Sequence, residues 1–174
     1  MNTEQQQQHL QQQYRMDASK EQQVQALLER YYYQGWNKSN ETIMTQVLDP
    51  NVQFRGTFRR KPLRGTANFL NYMHQSHRAL ANNTIEIQDV CISSTSNMTE
   101  GGHYKAAVRL LNHGVHRGDF FGIPGSGHEV SWASAAFFTL HSETLQIIDI
   151  WVVGDIDGLK HQIGAPVEAI AFET

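Results

Sequence analysis

Two long β-patterned runs, from about His103 to Gly114 and from Glu129 to His141, bracket a glycine-rich stretch ending in Trp132. At roughly 3.3 Å per residue each run could span about 40 Å, so the strands must curve or carry bulges to close over a core. The segment between them, His116 to Trp132, contains Pro124-Gly125 with two further glycines close by. Proline fixes φ and glycine accepts positive φ, so a type II turn is expected there.

Upstream, the apolar period is helical. Val24, Leu27, Leu28 and Tyr31 follow the i, i+3, i+4, i+7 rule, and Ser19 with Gln22 reads as a capping box starting a helix that ends near Gly35-Trp36. A second helix is expected over about 41–48, stopped by Asp49-Pro50, then a short strand over 52–58. Thr66 is positioned to cap a third helix carrying Phe69, Leu70, Met73 and Leu80. Beyond it the period becomes two. Ile85 and Ile87 share one parity and Val90 and Ile92 the other, which a bulge near Gln88-Asp89 would reconcile. A last strand over 145–153 is apolar on both parities, and residues 155–164 form a closing helical turn. Three amino-terminal helices followed by antiparallel strands predict an α+β cone, with the helices packed into a curved sheet around a pocket.

At 174 residues the chain suits one domain, 17–174, behind a glutamine-rich tail over 1–16. That tail has almost no apolar face and is expected to be mobile, or else to extend the first helix. A net charge of −3 argues against a broad nucleic-acid surface. The local exception is Arg55, Arg59, Arg60, Lys61 and Arg64, either a solvated loop or an anion-binding rim. No apolar run reaches the roughly 18 residues of a membrane span, and the amino terminus lacks a signal-peptide pattern, so a cytoplasmic protein is expected. The single cysteine, Cys91, is expected to be a small buried hydrophobe. The pairs His113/His116 and His74/His77 lack a third ligand nearby, and nucleotide-binding fingerprints are absent, so neither metal nor cofactor is expected.

Two charges interrupt apolar strands. Asp149 stands among Ile147, Ile148, Ile150, Trp151, Val152 and Val153, where desolvation would raise its pKa into the general acid–base range. It could instead face solvent or pair with a base such as Arg109. Arg109 interrupts Ala106, Ala107, Val108, Leu110 and Leu111, and could polarise a carbonyl or serve as a structural partner. His116 could shuttle protons or stabilise its turn. Asp155 precedes the closing helix, where it suits capping.

The residues His116, Gly118, Phe120, Phe121, Gly122, Ile123, Pro124 and Gly127, with Trp151, Asp155, Gln162, Ile163 and Gly164, resemble the signature of the SnoaL-like polyketide cyclases and ester cyclases. The resemblance covers about residues 20–164. It implies the nuclear-transport-factor-two-like fold, an enclosed apolar pocket and homodimers paired sheet to sheet. Phe54, Trp132, Ile150, Trp151 and Val152 are then the candidate lining for an apolar small molecule. The implied activity is a cofactor-independent cyclase or isomerase acting on a polyketide-like carbonyl compound. Asp149 would be the acid–base group, His116 the shuttle and Arg109 the stabiliser of enolate charge. The chain departs from the cyclases at one position. Aligned on Asp155, Gly158 and Gln162–Gly164, the acid–base aspartate falls on Val152, and a second pocket histidine falls near Ala136. A non-catalytic binding or association domain, and an epoxide or lactone hydrolase using Asp149 and Arg109, are the competing readings.

Overall fold

The computed structural model describes residues 3–59, 61–94 and 103–165. Helix α1 (Thr3–Glu29) runs directly into a π-helix (Arg30–Trp36), followed by α2 (Glu41–Val47), β1 (Leu48–Arg55), the two-residue β2 (Leu63–Arg64) and α3 (Thr66–Ala79). The remainder is β3 (Leu80–Ser94), β4 (His103–His116), β5 (Glu129–His141), β6 (Ile147–Gly154) and α4 (Ile156–Gln162). The strands form one open, curved six-stranded sheet in the order β2-β1-β6-β5-β4-β3. Only β1 and β6 run parallel. This is the α+β cone expected from the period change at residue 80.

Alternation decides which side chains go inside. In β4, Tyr104, Ala106, Val108, Leu110, Asn112 and His116 are buried, and the odd-numbered positions are less covered. In β5, Val130, Trp132, Ser134, Ala136, Phe138 and Leu140 occupy the matching inner register. Against this face pack Val24 and Leu28 of α1, Tyr31 and Tyr32 of the π-helix, and Phe69 and Met73 of α3. The expected bulge is present: β3–β4 pairing shifts register between Ile87 and Asp89, which lets Ile85, Ile87, Val90 and Ile92 all pack against the core.

Several local expectations are corrected. Helix α1 begins at Thr3, not Ser19, so the glutamine-rich stretch joins the helix with exposed side chains at Gln5–Gln8, and Ser19 caps nothing. Asp49-Pro50 does not separate helix from strand, because β1 starts at Leu48. Proline is tolerated there because pairing with β6 jumps from Leu48 to Gln53, so no ladder bond needs its missing N–H. Thr66 is the first residue of α3 rather than its cap, and its hydroxyl donates to the Asp49 carbonyl at 3.0 Å. The expected type II turn at Pro124-Gly125 is replaced by a turn at Phe121-Gly122, both at positive φ (52° and 74°), closed by reciprocal bonds of 3.0 Å between Phe120 and Ile123. Gly125 is needed for approach rather than for φ, since a Cβ there would lie 2.0 Å from the Arg117 carbonyl oxygen. Cys91 is exposed on β3, not buried. Arg60 and the first two residues of the tail lie outside the described residues.

Candidate functional site

Between the helices and the concave face of the sheet lies a cavity of about 50 Å³. Its helical wall is Tyr31, Tyr32 and Trp36 of the π-helix with Tyr72 of α3. Phe54 of β1 and the following Thr57 and Phe58 close one side. The sheet wall is Asn83 and Ile85 of β3, Leu110 and Asn112 of β4, Trp132 and Ser134 of β5, and Val152 of β6.

The π-helix explains why three aromatic side chains from one helix meet the cavity together. Its wide turn is closed by i→i+5 bonds, seen where Asn37 N–H donates to Tyr32 O at 2.8 Å and Asn40 N–H to Gly35 O at 2.9 Å. The wider turn brings residues five apart nearer to one face than an α-helix does, and Tyr31, Tyr32 and Trp36 all border the cavity. Side chains then pin the turn. Asn37 bonds both the N–H and C=O of Ile85, at 2.8 and 2.9 Å, and His77 Nε2 donates to the Trp36 carbonyl at 2.9 Å. Burial lowers the His77 pKa below its ordinary value, which keeps the ring neutral while it donates this bond.

The polar groups on this lining are all neutral. Burial raises the phenols: Tyr72 is pushed up to about 12, against opposing pulls from Ser76 and Arg59. Tyr31 is raised well above the ordinary tyrosine value by burial and by its neighbours Tyr32 and Tyr72, and burial alone raises Tyr32. All three therefore stay protonated donors at neutral pH. Asn112 spends both Nδ2 protons, on Trp132 O at 3.0 Å and Ser134 Oγ at 2.8 Å, and so offers its Oδ1 as an acceptor. Trp36 is 7% exposed, and its indole N–H is buried without a hydrogen-bond partner among the described residues.

Asp149, Arg109 and His116 do not converge. Asp149 lies on the outer face of β6, where its carboxylate meets Arg55, not Arg109, at 2.7 Å, with both side chains part-exposed (28% and 47%). Arg55 also stacks over Trp151, 5.5 Å from the ring centroid. Arg109 is exposed on the outer face of β4, opposite Asp89 and Ala135. The parity that hides Leu110 and Asn112 inside puts Arg109 outside. His116 is fully buried but does not line the cavity. Its Nδ1 accepts from the Ser126 hydroxyl at 3.0 Å and from the Ser126 N–H at 3.3 Å, so the proton resides on Nε2, which has no partner among the described residues. Its ring lies 6.5 Å from that of Phe120, which in turn packs edge-on against the cavity-lining Phe58 at 5.0 Å. Of the expected lining, Phe54, Trp132 and Val152 border the cavity. Ile150 is buried in the core beside it, and Trp151 is 49% exposed on the outer face.

The other signature residues hold loops. Asp155 caps α4 by accepting from Gly158 N–H at 2.8 Å. Gln162 clamps α4 onto β5, bonding the N–H and C=O of Ser131 at 2.9 and 2.8 Å. Of the cavity's polar members, Tyr32, Trp36, Thr57, Tyr72, Asn83, Asn112 and Ser134 are not expected as lining from the sequence, and Tyr31 is expected only on the apolar face of the first helix. Asn112 had a signal, being a polar residue on the inner parity of Ala106, Val108 and Leu110. The tyrosine run had none, because an α-helical period does not align Tyr31 with Trp36.

Against known families, the model of the SnoaL-like polyketide cyclases matches residues 26–163. The chain belongs to that family. Among solved structures, a protein from Jannaschia sp. CCS1 assigned to the SnoaL-like polyketide cyclases aligns at a TM-score of 0.70 and 17% identity, covering 83% of this chain and 94% of its own. IdmH from Streptomyces antibioticus, assigned as a polyketide cyclase, aligns at 0.65 and 16%, covering 82% and 99%. AclR from Streptomyces galilaeus, assigned instead as a hydroxylase, aligns at 0.65 and 16%, covering 86% and 85%. At these identities the likeness is one of fold, and that fold carries more than one assigned reaction. Among curated proteins none matches the sequence. No described helix is long and apolar enough to cross a membrane. No group of three or more metal-ligating side chains occurs among the described residues.

Proposed function

We propose that this SnoaL-family chain binds a neutral, ring-bearing small molecule with carbonyl or hydroxyl oxygens in the cavity between helices and sheet, without acid–base catalysis. One observation carries the reading: among the described residues, the cavity lining contains no aspartate, glutamate, histidine, lysine, arginine or cysteine. Removing a proton from carbon requires a base within about 2.6–3.2 Å of it, or one water away. Val152 occupies the position where the family's aspartate would reach in, and Asp149 lies on the opposite face. The same lining weighs against the hydrolase reading, whose carboxylate must activate water inside the site.

A volume of about 50 Å³ holds only a few waters, at about 10–15 Å³ each on this measure. A ligand must therefore displace side chains as it enters, and Phe58, only partly buried on the loop after β1, is the nearest to yield. The outer face supports a second element of the proposal, a homodimer. Phe137, Trp151 and Val153 are 45%, 49% and 40% exposed there, more apolar surface than a charged sheet face needs.

Family membership supports a second reading, a cyclase that acts as a template. The protonated hydroxyls of Tyr31, Tyr32 and Tyr72 would then stabilise an enolate oxygen while water takes the proton. The bicyclic ketone 1-tetralone separates the two in heavy water. Saturable binding with no acceleration of deuterium exchange at the carbon beside its carbonyl is the outcome expected here. Exchange accelerated by the protein and abolished by Tyr32→Phe would replace the binding reading with the template one.

A further inference from the structure

We propose that the indole N–H of Trp36 is the specificity-determining donor of this cavity, receiving the carbonyl or quinone oxygen of the ligand. The inference rests on the binding reading above and adds to it which atom recognises which group. A tryptophan needed only for packing could be phenylalanine, because the ring contacts that hold it, with Phe69, Tyr72 and His77 at 6.1, 6.0 and 5.7 Å between centroids, make no use of the nitrogen. Yet the nitrogen is buried on a cavity-lining residue with no partner among the described residues. A buried N–H is ordinarily satisfied, so an unmatched one beside a cavity marks a place for an acceptor from outside the chain.

The setting is rigid, as recognition requires. The π-helix fixes the Trp36 backbone, His77 holds its carbonyl, and Asn37 ties the next residue to β3. Across the cavity, Asn112 presents the complementary Oδ1 acceptor from β4. A planar molecule with a carbonyl at one edge and a hydroxyl at the other would meet one group on each wall. This selects for hydroxylated aryl ketones or quinones and against hydrocarbons and carboxylates, since none of the described lining residues is a cation.

The test compares 1-tetralone with tetralin, which keeps the ring system and lacks the oxygen. In the uniformly ¹⁵N-labelled protein the indoles of Trp36, Trp132 and Trp151 give three N–H resonances, assignable from the Trp→Phe variants. Titration with 1-tetralone should move the Trp36 resonance downfield, tetralin should not, and Trp151 on the outer face should stay still with both. Trp36→Phe should weaken 1-tetralone by roughly 3- to 10-fold relative to tetralin, the worth of one neutral hydrogen bond. If both compounds bind and neither the resonance nor that ratio responds to the carbonyl, Trp36 is a packing residue and the binding reading stands without it. If neither compound binds the wild-type protein, the binding reading fails and this inference with it. The resonance is read on the wild-type chain, so the test does not depend on the variant folding.

Discussion

Asp149 and Val152 lie three residues apart on β6 and experience opposite surroundings. Asp149 faces outward with Arg55 and Trp151, in water and beside a cation. Val152 faces the cavity among aromatic rings and neutral hydrogen-bonding groups. The sequence around both is uniformly apolar, so the company a residue keeps along the chain says little about the company it keeps in space. In a strand, parity decides that. The charged face belongs to the outside, and the neutral face is where a ligand would go.

Val152→Asp tests this contrast most severely. A carboxylate there would restore the family's acid–base position in a lining whose described residues include no cation to receive it. Desolvation would hold its folded-state pKa above the unfolded value of about 3.9. An acid with a raised folded pKa keeps its proton when folded and loses it when unfolded, so the variant should weaken as pH rises above about 4. At pH 7 the loss should reach roughly 2–4 kcal/mol, shrinking toward pH 4. Urea unfolding at the two pH values measures it. An equal loss at both would mean that position 152 reaches water, and that the inner face is not the dry wall described here.

On the outer face the largest expected effect is on association. Trp151→Glu places a charge in the exposed patch with Phe137 and Val153. It should weaken dimerisation by tenfold or more, about 1.4 kcal/mol, without moving the unfolding midpoint of the monomer. Sedimentation equilibrium checks this. A wild-type protein that sediments as a monomer near 19.8 kDa at micromolar concentration would remove the dimer altogether.

The architecture was legible because it depends on periodicity, which a sequence displays directly. The period change at residue 80 located the sheet, and the parity switch between Ile87 and Val90 located the bulge. The site was less legible for two physical reasons. Charge in an apolar run signals function only if the residue points inward, and Asp149 and Arg109 both have outward parity. The residues that build the cavity are neutral and aromatic, and three of them are grouped by a π-helical register that leaves no periodic trace. The signature histidine, aspartate and glutamine are plain in the sequence, but each fastens local structure: His116 binds Ser126, Asp155 caps α4 and Gln162 clamps α4 onto β5.

His77 gives a smaller, pH-dependent effect that probes the inner wall. Its folded pKa is depressed below about 6.5, chiefly by burial, while the unfolded ring titrates near that value. The unfolded chain therefore takes up the proton first as pH falls. The contribution is fully present above pH 6.5 and is lost as pH drops through the folded pKa. The ring is only half-buried, so solvent screening should keep the loss below about 1 kcal/mol. Melting curves from pH 7.5 to 5 should slope downward for the wild type and flatten for His77→Gln, which retains a donor for the Trp36 carbonyl. An unchanged slope in the variant would assign the pH dependence to another group.

The smallest effect belongs to the ion pair that holds Asp149, the residue expected to be the acid–base group. Arg55 and Asp149 meet at 2.7 Å, but both are part-exposed, and water already solvates each of them. A pair of this kind contributes about 0.2–1 kcal/mol in a double-mutant cycle, because Coulomb attraction in high dielectric barely exceeds the entropy of holding two side chains. Asp149→Asn, Arg55→Gln and the double variant, compared by urea unfolding, should give a coupling in that range that fades in 1 M salt. A buried pair would behave differently, since losing one partner strands the other and costs about 3–5 kcal/mol. A coupling of that larger size, insensitive to salt, would mean that the proposed dimer buries the pair along with Trp151, over which Arg55 stacks. Asp149 would then lie inside the interface rather than at its rim, and Trp151→Glu should lower that coupling as it weakens association.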